Sequence, residues 1–280
     1  MVLVSAAMIR LGHIDYSNCV PVHALLLEQG SRDVELVRDV PSRLNEALAR
    51  GAIDVAPCSS IEYARHADEY TILPGLAIGS AGAVQSILLE SAVPIEQLDG
   101  AVIAVPTASA TSVILLRALL ELRAGVQPRY EWFDQAAGRD PVADGAAAAL
   151  RIGDIALGRV VRPGSIVLDL GAAWWSWTGL PFAFAVWQVR RDADSSEVRR
   201  LARLLNESYA WFNEHAPQLA VRYAPRFGLA SDHLLRYWHS LRFDLDSSMQ
   251  QGLLHFYRLA ADLGEAPRVT VLDILDPLQE

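Results

Sequence analysis

The 280-residue sequence has only two cysteines, Cys19 and Cys58, which are too few for a disulfide framework. Both follow predicted strands, and we expect them to be reduced thiols. The sequence also lacks a GxGxxG loop, a P-loop and any His/Cys/Glu cluster at metal-ligand spacing, because its seven histidines are scattered. We therefore expect neither a metal nor a cofactor.

Positive charge is scarce as well, since 33 acidic residues outnumber 24 basic ones and give a net charge of −9. This balance argues against nucleic acid and against an anionic membrane surface as partners. No charge-free apolar run reaches the roughly 20 residues that span a bilayer. The first residues, 1–9, lack the basic start and cleavage pattern of an export signal, so we expect a soluble, cytoplasmic protein.

Strand-like and helix-like segments alternate along the chain, which predicts an α/β fold with largely parallel sheets. We predict strands at residues 8–14, 33–37, 52–56, 71–78, 83–90, 101–105, 129–133, 165–170 and 182–189. An apolar helix is expected at residues 110–124, and a helix at residues 144–150 is expected to lead into a strand at residues 151–156. From residue 195 onward the pattern is almost entirely helical, and we expect these helices to cover the sheets without contributing to a site.

A similar sequence motif with glycine and aspartate occurs at residues 51–56 and 153–156 and indicates two α/β halves of similar structure. We expect a discontinuous lobe I of residues 1–92 and 186–280, which includes the C-terminal helices, and a lobe II of residues 93–185. A chain that crosses twice between two lobes forms a hinged cleft that can close. This is the arrangement of a two-lobed type II periplasmic-binding-protein-like fold.

Three predicted strands run into loops that are rich in hydroxyl and amide groups, at residues 14–21, 57–60 and 106–111. In open α/β sheets, ligands bind where such loops follow the carboxyl ends of the strands, so these loops predict one polar cleft for a small anion. Asn18 is the leading candidate because its amide offers both donors and an acceptor, although an Asx-turn that only shapes the loop suits it equally. Ser17 is a second candidate in the same loop.

Hydroxyl groups begin the helices after the other two loops. Ser59 and Ser60 open one helix, and Thr107, Ser109 and Thr111 precede the next. The free backbone N–H groups of a helix start suit a carboxylate, although plain N-capping explains the first two serines as well. Each exposed helix start stabilises an anion by about 0.3–1 kcal/mol. Two of them facing one cleft would hold a dicarboxylate without any arginine.

Further candidates lie at other strands. Ser86 stands alone within an apolar strand, a position that often faces a cleft. Asp154 and Asp169 lie at strand ends, where each is either a base or a cap. Trp174 belongs to the tryptophan-rich residues 171–181 and would pack against an apolar ring of a ligand. A cluster of aromatic side chains in the core is the more frequent arrangement.

Four motifs, taken in order, resemble the MqnA family. They are GHIDYSNCVP at residues 12–21, GAIDVAPCSS at 51–60, SATS at 109–112 and TGLPF at 178–182. The family consists of chorismate dehydratases that open the futalosine route to menaquinone. The sequence departs from the family pattern before Trp174, where alanines stand in place of an expected acidic residue, which we interpret as a choice at the helix surface.

The resemblance implies a cytoplasmic enzyme whose small-molecule substrate is chorismate. Loss of water would give 3-[(1-carboxyvinyl)oxy]benzoate as the cyclohexadiene becomes an aromatic ring. Asn18 resembles the active-site asparagine of the family and would hydrogen-bond the leaving hydroxyl or the enolpyruvyl group. The hydroxyl groups at the helix starts would hold the two carboxylates: Ser59, Ser60, Ser109 and Thr111. Because the motifs offer no evident base, we expect the enolpyruvyl carboxylate of the substrate to take the proton.

Two other functions remain open at this stage. One is that of the sister enzyme on the same fold, which forms 1,4-dihydroxy-6-naphthoate, although its relatives begin with a Ser-Pro-Cys-Pro-Asn type of loop. The other is that of a non-catalytic cytoplasmic protein that binds a small carboxylate. The sequence does not set the oligomeric state, and a homodimer is one option.

Overall fold

The computed structural model of the chain describes residues 8–276. Residues 1–7 and 277–280, which the predicted lobe I also includes, lie outside the described residues. Most of residues 1–9, where the sequence was searched for an export signal, also lies outside the described residues.

Ten strands alternate with nine α-helices in the described part of the chain. The strands are β1 (Ile9–Ile14), β2 (Val34–Asp39), β3 (Val55–Ser59), β4 (Tyr70–Ser80), β5 (Ile87–Ser91), β6 (Val102–Pro106), β7 (Arg129–Phe133), β8 (Ala148–Ile152), β9 (Ile166–Asp169) and β10 (Phe182–Arg190). The helices are α1 (Val20–Gln29), α2 (Pro41–Ala49), α3 (Ser60–Arg65), α4 (Thr111–Arg117), α5 (Gly153–Leu157), α6 (Leu170–Thr178), α7 (Ser195–Tyr223), α8 (Ser231–Ser240) and α9 (Ser247–Asp262). A 3₁₀ turn, Ser17–Cys19, joins β1 to α1, and a π-helical segment, Ala118–Arg123, continues α4.

The first sheet has the strand order β2-β1-β3-β10-β4. β1 pairs in parallel with β2 and β3, whereas β10 runs antiparallel to β3 and β4. β3 and β10 are almost completely buried, as central strands with continuous apolar sequences are. Because β1 and β3 are parallel, the loop with Asn18 and the loop with Ser60 emerge at the same edge of this sheet.

The second sheet has the strand order β7-β6-β8-β5-β9. β6 is parallel to β7 and β8, and β5 pairs antiparallel with β8 and β9. The predicted boundary at residue 92 places β5 in lobe I, whereas its hydrogen bonds place it in the second sheet. Likewise all of β10, from residue 182 rather than 186, belongs to the first sheet. We retain the division into two lobes as a proposal and place its crossings before β5 and before β10.

The alanine-rich residues 144–150 do not form the predicted helix. Their last part belongs to β8, which lies between β6 and β5 and is buried at every position. This central place in a sheet overrides the helix propensity of alanine. The predicted strand at residues 151–156 ends at Ile152, because Gly153 has a φ of +63° and begins α5.

The predicted C-terminal helices are present as α7, α8 and α9. α7 packs along α1, and α9 packs on β10. At the second contact a Cβ on Gly252 would lie 2.0 Å from the carbonyl oxygen of Pro181, so the close approach of α9 requires glycine. Among residues 8–276, no helix has both the length and the apolar character needed to cross a bilayer.

Candidate functional site

A narrow cavity lies between the two sheets and has a volume of about 60 Å³. Its polar wall residues come from both sheets and are Tyr16, Asn18, Ser59, Ser86, Ser109 and Ser112. The rest of the wall is apolar, and no charged side chain of the described residues lines it. A larger groove of about 600 Å³ lies along β6 and β7, but the predicted polar loops do not meet there. We therefore place the candidate site in the cavity between the sheets.

Asn18 lies in the turn between β1 and α1, and its side chain reaches the cavity. The amide oxygen Oδ1 is buried and accepts no hydrogen bond from any described residue. A buried acceptor without a donor costs about 1–3 kcal/mol, so such a group in a cavity wall points to a ligand that supplies the donor. The structure thus places the leading candidate from the sequence in the site and does not give its side chain an Asx-turn hydrogen bond.

Ser17 and Asp154, which the sequence predicts to contact a substrate, do not line the cavity and bond each other instead. The Asp154 carboxylate accepts the backbone N–H of Ser17 at 3.0 Å and also the Ser17 hydroxyl. Burial raises the pKa of Asp154, and the hydrogen bonds from Ser17 oppose that effect only in part. Because Ser17 follows β1 and Asp154 follows β8, the pair links the two sheets. Tyr16 packs beside it against Gly153, where a Cβ would lie 3.0 Å from the Tyr16 ring.

Ser60 and Thr111 form a second link between the sheets rather than the predicted carboxylate site. Thr111 Oγ1 accepts the backbone N–H of Ile61 at 3.1 Å and lies 3.4 Å from Ser60 Oγ. α3, which begins at Ser60, follows a strand of the first sheet, whereas α4, which begins at Thr111, follows one of the second. Neither hydroxyl lines the cavity.

Ser59 and Ser109 do line the cavity, one from each sheet. The Ser59 side chain makes no capping hydrogen bond to α3, so simple N-capping does not account for it. Ser109 Oγ donates to Ser112 Oγ at 3.0 Å and accepts the Ser112 backbone N–H at 3.3 Å. These three hydroxyl groups give the cavity wall hydrogen-bonding capacity without charge.

Ser86 immediately precedes β5, and its hydroxyl accepts a hydrogen bond from the Tyr237 hydroxyl at 2.8 Å. The residue before it, Gln85, has a φ of +63°, a conformation that residues other than glycine rarely adopt. The Asp169 carboxylate holds this turn by accepting the backbone N–H groups of Val84 and Gln85 at 3.0 and 2.7 Å, and it also caps α6. Asp169 is therefore a cap that positions the turn, and Ser86 faces the cavity as predicted.

Thr107 and Trp174, which the sequence also predicts to contact a substrate, lie outside the cavity. Thr107 lines a separate groove of about 310 Å³ that shares Ser109 with the cavity. Trp174 is completely buried, packs edge-on against Phe182, and donates from Nε1 to the carbonyl oxygen of Pro181. The tryptophan is part of the core, the alternative that the sequence left open.

The sequence analysis missed two residues of α8. Tyr237 bonds Ser86, and Trp238 donates from Nε1 to the carbonyl oxygen of Ser17 at 2.8 Å. The expectation that the C-terminal helices contribute nothing to the site is therefore wrong for α8. No sequence signal separates these residues from core residues, since both are buried on the apolar face of an amphipathic helix.

A buried trio beside Asn18 comes nearest to a metal site in the described part of the chain. The ligand atoms of His13, Cys19 and His23 all lie within 4.8 Å of one another. However, Trp187 donates to His23 Nε2 at 3.1 Å, so the neutral ring carries its proton on Nδ1 and donates it to His13 Nδ1 at 2.8 Å. A metal on His23 Nδ1 would force that proton onto Nε2, against the Trp187 donor.

Burial also keeps the three side chains of the trio uncharged. Burial lowers the pKa of His13 to about 3, lowers that of His23, and raises that of Cys19 to about 12. All three groups are therefore neutral near pH 7. They form a hydrogen-bonded support for the turn that carries Asn18.

The chain resembles known proteins over most of its length. A family model described as menaquinone biosynthesis matches residues 9–262. The chain is 31% identical to a chorismate dehydratase of Thermus thermophilus over 88% of this chain and 93% of that protein. It is 34% identical to a chorismate dehydratase of Campylobacter jejuni over 62% of this chain and 64% of that protein. A 1,4-dihydroxy-6-naphthoate synthase of Thermus thermophilus matches at 28% identity over 68% of this chain and 67% of that protein.

Solved structures share the fold. A crystal structure of a protein from Archaeoglobus fulgidus has a TM-score of 0.74 and 22% identity, with 92% of this chain and 98% of that chain covered. A Candida albicans protein described as having the generic periplasmic-binding-protein fold has a TM-score of 0.62 and 12% identity, with 92% of each chain covered. Identities this low show the fold alone. The prediction of a two-lobed periplasmic-binding-protein-like fold is confirmed.

Proposed function

This chain belongs to the menaquinone-biosynthesis family, and from that membership we propose that it is a chorismate dehydratase. The two chorismate dehydratases match at 31% and 34% identity, the first over 88% of the chain, whereas the naphthoate synthase matches at 28% identity over 68%. The observation that carries the proposal in this molecule is the unpartnered amide oxygen of Asn18 in the wall of the cavity between the sheets.

The proposed reaction removes the C3 proton and the C4 hydroxyl of chorismate and yields 3-[(1-carboxyvinyl)oxy]benzoate and water. The electrons of the C3–H bond form the last double bond of the aromatic ring as the C4–O bond breaks. Because aromatisation drives the reaction, the protein has mainly to orient the substrate and to stabilise the departing oxygen. The product would enter the futalosine route to menaquinone.

The neutral polar wall of the cavity suits this reaction. In our proposal Asn18 hydrogen-bonds the leaving hydroxyl, and Ser59 and Ser109 hydrogen-bond the carboxylates of the substrate. Neutral donors can hold a carboxylate without the arginines that the wall does not provide. Ser60 and Thr111 are not part of this assignment because their hydroxyl groups link the sheets.

We assign the proton acceptor to the substrate itself. The described cavity wall offers no carboxylate and no histidine, and Asp154 lies outside it with its carboxylate bonded to Ser17. In this scheme the enolpyruvyl carboxylate takes the C3 proton. The departing hydroxide takes up one proton to become water, and the enolpyruvyl carboxylic acid can supply it, so that the proton balance closes within the substrate.

Location and assembly are further proposals of a coarser kind. We propose that the protein acts in the cytoplasm, and a homodimer is one option for its assembly. Light scattering coupled to gel filtration tests this option, since a mass near that of one 30.6 kDa chain would exclude it.

Incubation of the purified protein with chorismate tests the proposed activity, with mass spectrometry and ultraviolet absorbance as readouts. We expect an aromatic product lighter than chorismate by one water. Unchanged chorismate together with calorimetric binding would instead indicate a non-catalytic binding protein. Absence of both binding and turnover would contradict any role with this substrate.

A further inference from the structure

Tyr237 is a buried side chain of α8 that does not line the cavity but bonds a residue of its wall. Its hydroxyl donates to Ser86 Oγ at 2.8 Å, and the Asn18 side chain is its second hydrogen-bonding neighbour. Burial raises the pKa of Tyr237, and the hydrogen bonds with Ser86 and Asn18 oppose that effect only in part. The phenol therefore stays protonated near pH 7 and keeps one donor and one acceptor function.

The donor and acceptor functions of this phenol determine how its two neighbours can point. A phenol that gives its proton to Ser86 Oγ has only its oxygen left for Asn18, and an oxygen can accept only from the amide nitrogen Nδ2. The amide oxygen of Asn18 must then face away from Tyr237. This orientation agrees with the surroundings of Oδ1, which accepts no hydrogen bond from any described residue.

Ser86 is oriented by the same hydrogen bond. Its oxygen accepts from Tyr237, and its own hydroxyl hydrogen has no acceptor among the described residues. Ser86 and Asn18 both line the cavity, so its wall contains one donor and one acceptor that no described residue satisfies. That pair matches a hydroxyl group of a ligand, which accepts one hydrogen bond and donates another.

We propose that Tyr237 is a positioning residue that directs the Asn18 amide oxygen and the Ser86 hydroxyl towards the substrate hydroxyl that departs. This inference rests on the proposed dehydratase activity. As the carbon–oxygen bond breaks, its electron pair moves to the oxygen, and the hydrogen bond from Ser86 strengthens on the developing negative charge. Tyr237 exchanges no proton with the substrate and acts only through its two neighbours.

Tyr237→Phe tests the inference because it removes the hydroxyl and keeps the ring. We expect kcat on chorismate to fall about 10–100-fold, less than the roughly 100–1,000-fold for loss of a direct donor, with KM changed less than about threefold. Tyr63→Phe is the matched control, since Tyr63 is equally buried and its hydroxyl bonds the backbone of Asp273, outside the cavity. The control should keep the wild-type kcat.

A double-mutant cycle with Ser86→Ala separates positioning from general destabilisation. Because Tyr237 acts partly through Ser86 and partly through Asn18, the loss in the double variant should be smaller than the product of the two single losses by at least about threefold. Fully multiplicative losses would contradict the inference. So would an unchanged kcat in Tyr237→Phe when the wild-type protein converts chorismate.

A spectroscopic readout tests the orientation even if chorismate is not the substrate. The chain has four asparagines, so the side-chain amide signals of ¹⁵N-asparagine-labelled protein can be assigned with single variants. We expect Tyr237→Phe to shift the Asn18 amide signal and to leave the other three in place. Ser86→Ala should shift the same signal, because Tyr237 then loses its acceptor, and this arm serves if Tyr237→Phe does not fold. An Asn18 signal that neither variant moves would overturn the inference.

Discussion

At the scale of single residues, the site depends on side chains whose hydrogen bonds fix the groups around them. Asn18 and Ser86 face the cavity because the trio of His13, Cys19 and His23 supports one turn and Asp169 holds the other. Preorganisation of this kind places dipoles before the reaction begins, so it costs no reorganisation when charge develops.

Asp169→Ala should therefore reduce both stability and activity. The substitution leaves the backbone N–H groups of Val84, Gln85 and Ala172 without their acceptor, which should lower the free energy of unfolding by about 1–3 kcal/mol. Because Ser86 follows directly, we also expect a fall in kcat of at least about tenfold. Urea unfolding and steady-state kinetics measure the two effects.

Asp194→Ala is the control for this prediction, since Asp194 caps α7 at the surface through Ser196 and Glu197. It should lower stability through the loss of this cap and leave kcat unchanged. If Asp169→Ala also left kcat unchanged, the assignment of Asp169 to the Ser86 turn would be wrong.

Asn18, Ser59, Ser86 and Ser109, which the sequence proposes as site residues, line the cavity, because strand ends and lone polar residues follow simple patterns. The sequence alone could not separate these residues from Ser60 and Thr111. A hydroxyl group at the start of a helix can hydrogen-bond either a ligand or a residue of the other lobe. Tyr237 could not be predicted as part of the site, because α8 is far in sequence from the polar loops and the Tyr237 ring is buried like that of a core residue.

At the scale of elements, the second sheet is held by a buried ionic network. Glu90 on β5 and Arg151 on β8 are each about 3% exposed, and Arg159 bonds Glu90 at 2.6 Å. Asp140, in the loop before β8, accepts from Arg151 and Arg162 at 2.7 Å. The network fixes β8 as a central strand in a segment whose alanine content favours a helix, which explains why local propensity misled the prediction.

The network should make stability depend on acid pH. Burial alone would raise the pKa of Asp140, but hydrogen bonds from Arg159 and Arg162 outweigh it and lower the pKa to about 2. A carboxyl with a lowered pKa in the folded state stabilises the fold above about pH 4, and this contribution is lost as the pH falls to about 2. Urea unfolding should therefore show Asp140→Asn losing about 1–2 kcal/mol less than the wild type between pH 4 and pH 2.

Asp144→Asn provides the comparison in the same loop, because it removes only a solvent-exposed ion pair with Arg139. It should change stability at pH 7 by less than about 1 kcal/mol. Equal losses of stability with falling pH in the wild type and in Asp140→Asn would show that Asp140 is not the group that titrates.

At the scale of the whole molecule, the two lobes meet through direct hydrogen bonds around a cavity of only about 60 Å³. Small-molecule sites usually measure roughly 300–1,000 Å³, so a substrate must enter while the lobes are apart. We expect the links between Ser17 and Asp154 and between Ser60 and Thr111 to form on closure. The alternating sequence pattern predicted the two lobes, but these links depend on tertiary contacts that no local pattern encodes.

Gly153→Ala should hinder closure. Alanine is strained at a φ of +63°, and its Cβ would lie 3.0 Å from the ring of Tyr16 on the other lobe. The backbone strain is the same in the open and the closed state, so only the Tyr16 contact opposes closure. A cost of about 1.4 kcal/mol at this contact would weaken the affinity for chorismate about tenfold by calorimetry. Gly164→Ala is the control, because Gly164 has a φ of +84° with no atom within 4 Å of the added Cβ. Equal losses in both variants would show that the Tyr16 contact does not matter.

The central claim is that Asn18 assists the departing hydroxyl while the substrate, and not the protein, accepts the proton. Single-turnover rates of Asn18→Ala and Asp154→Ala with chorismate test it most directly. We predict that Asn18→Ala slows the chemical step by at least about 100-fold because the departing hydroxyl loses the acceptor that orients it, whereas Asp154→Ala weakens binding and keeps the rate constant within about tenfold. Full turnover in Asn18→Ala together with none in Asp154→Ala would contradict the account and identify Asp154 as the base.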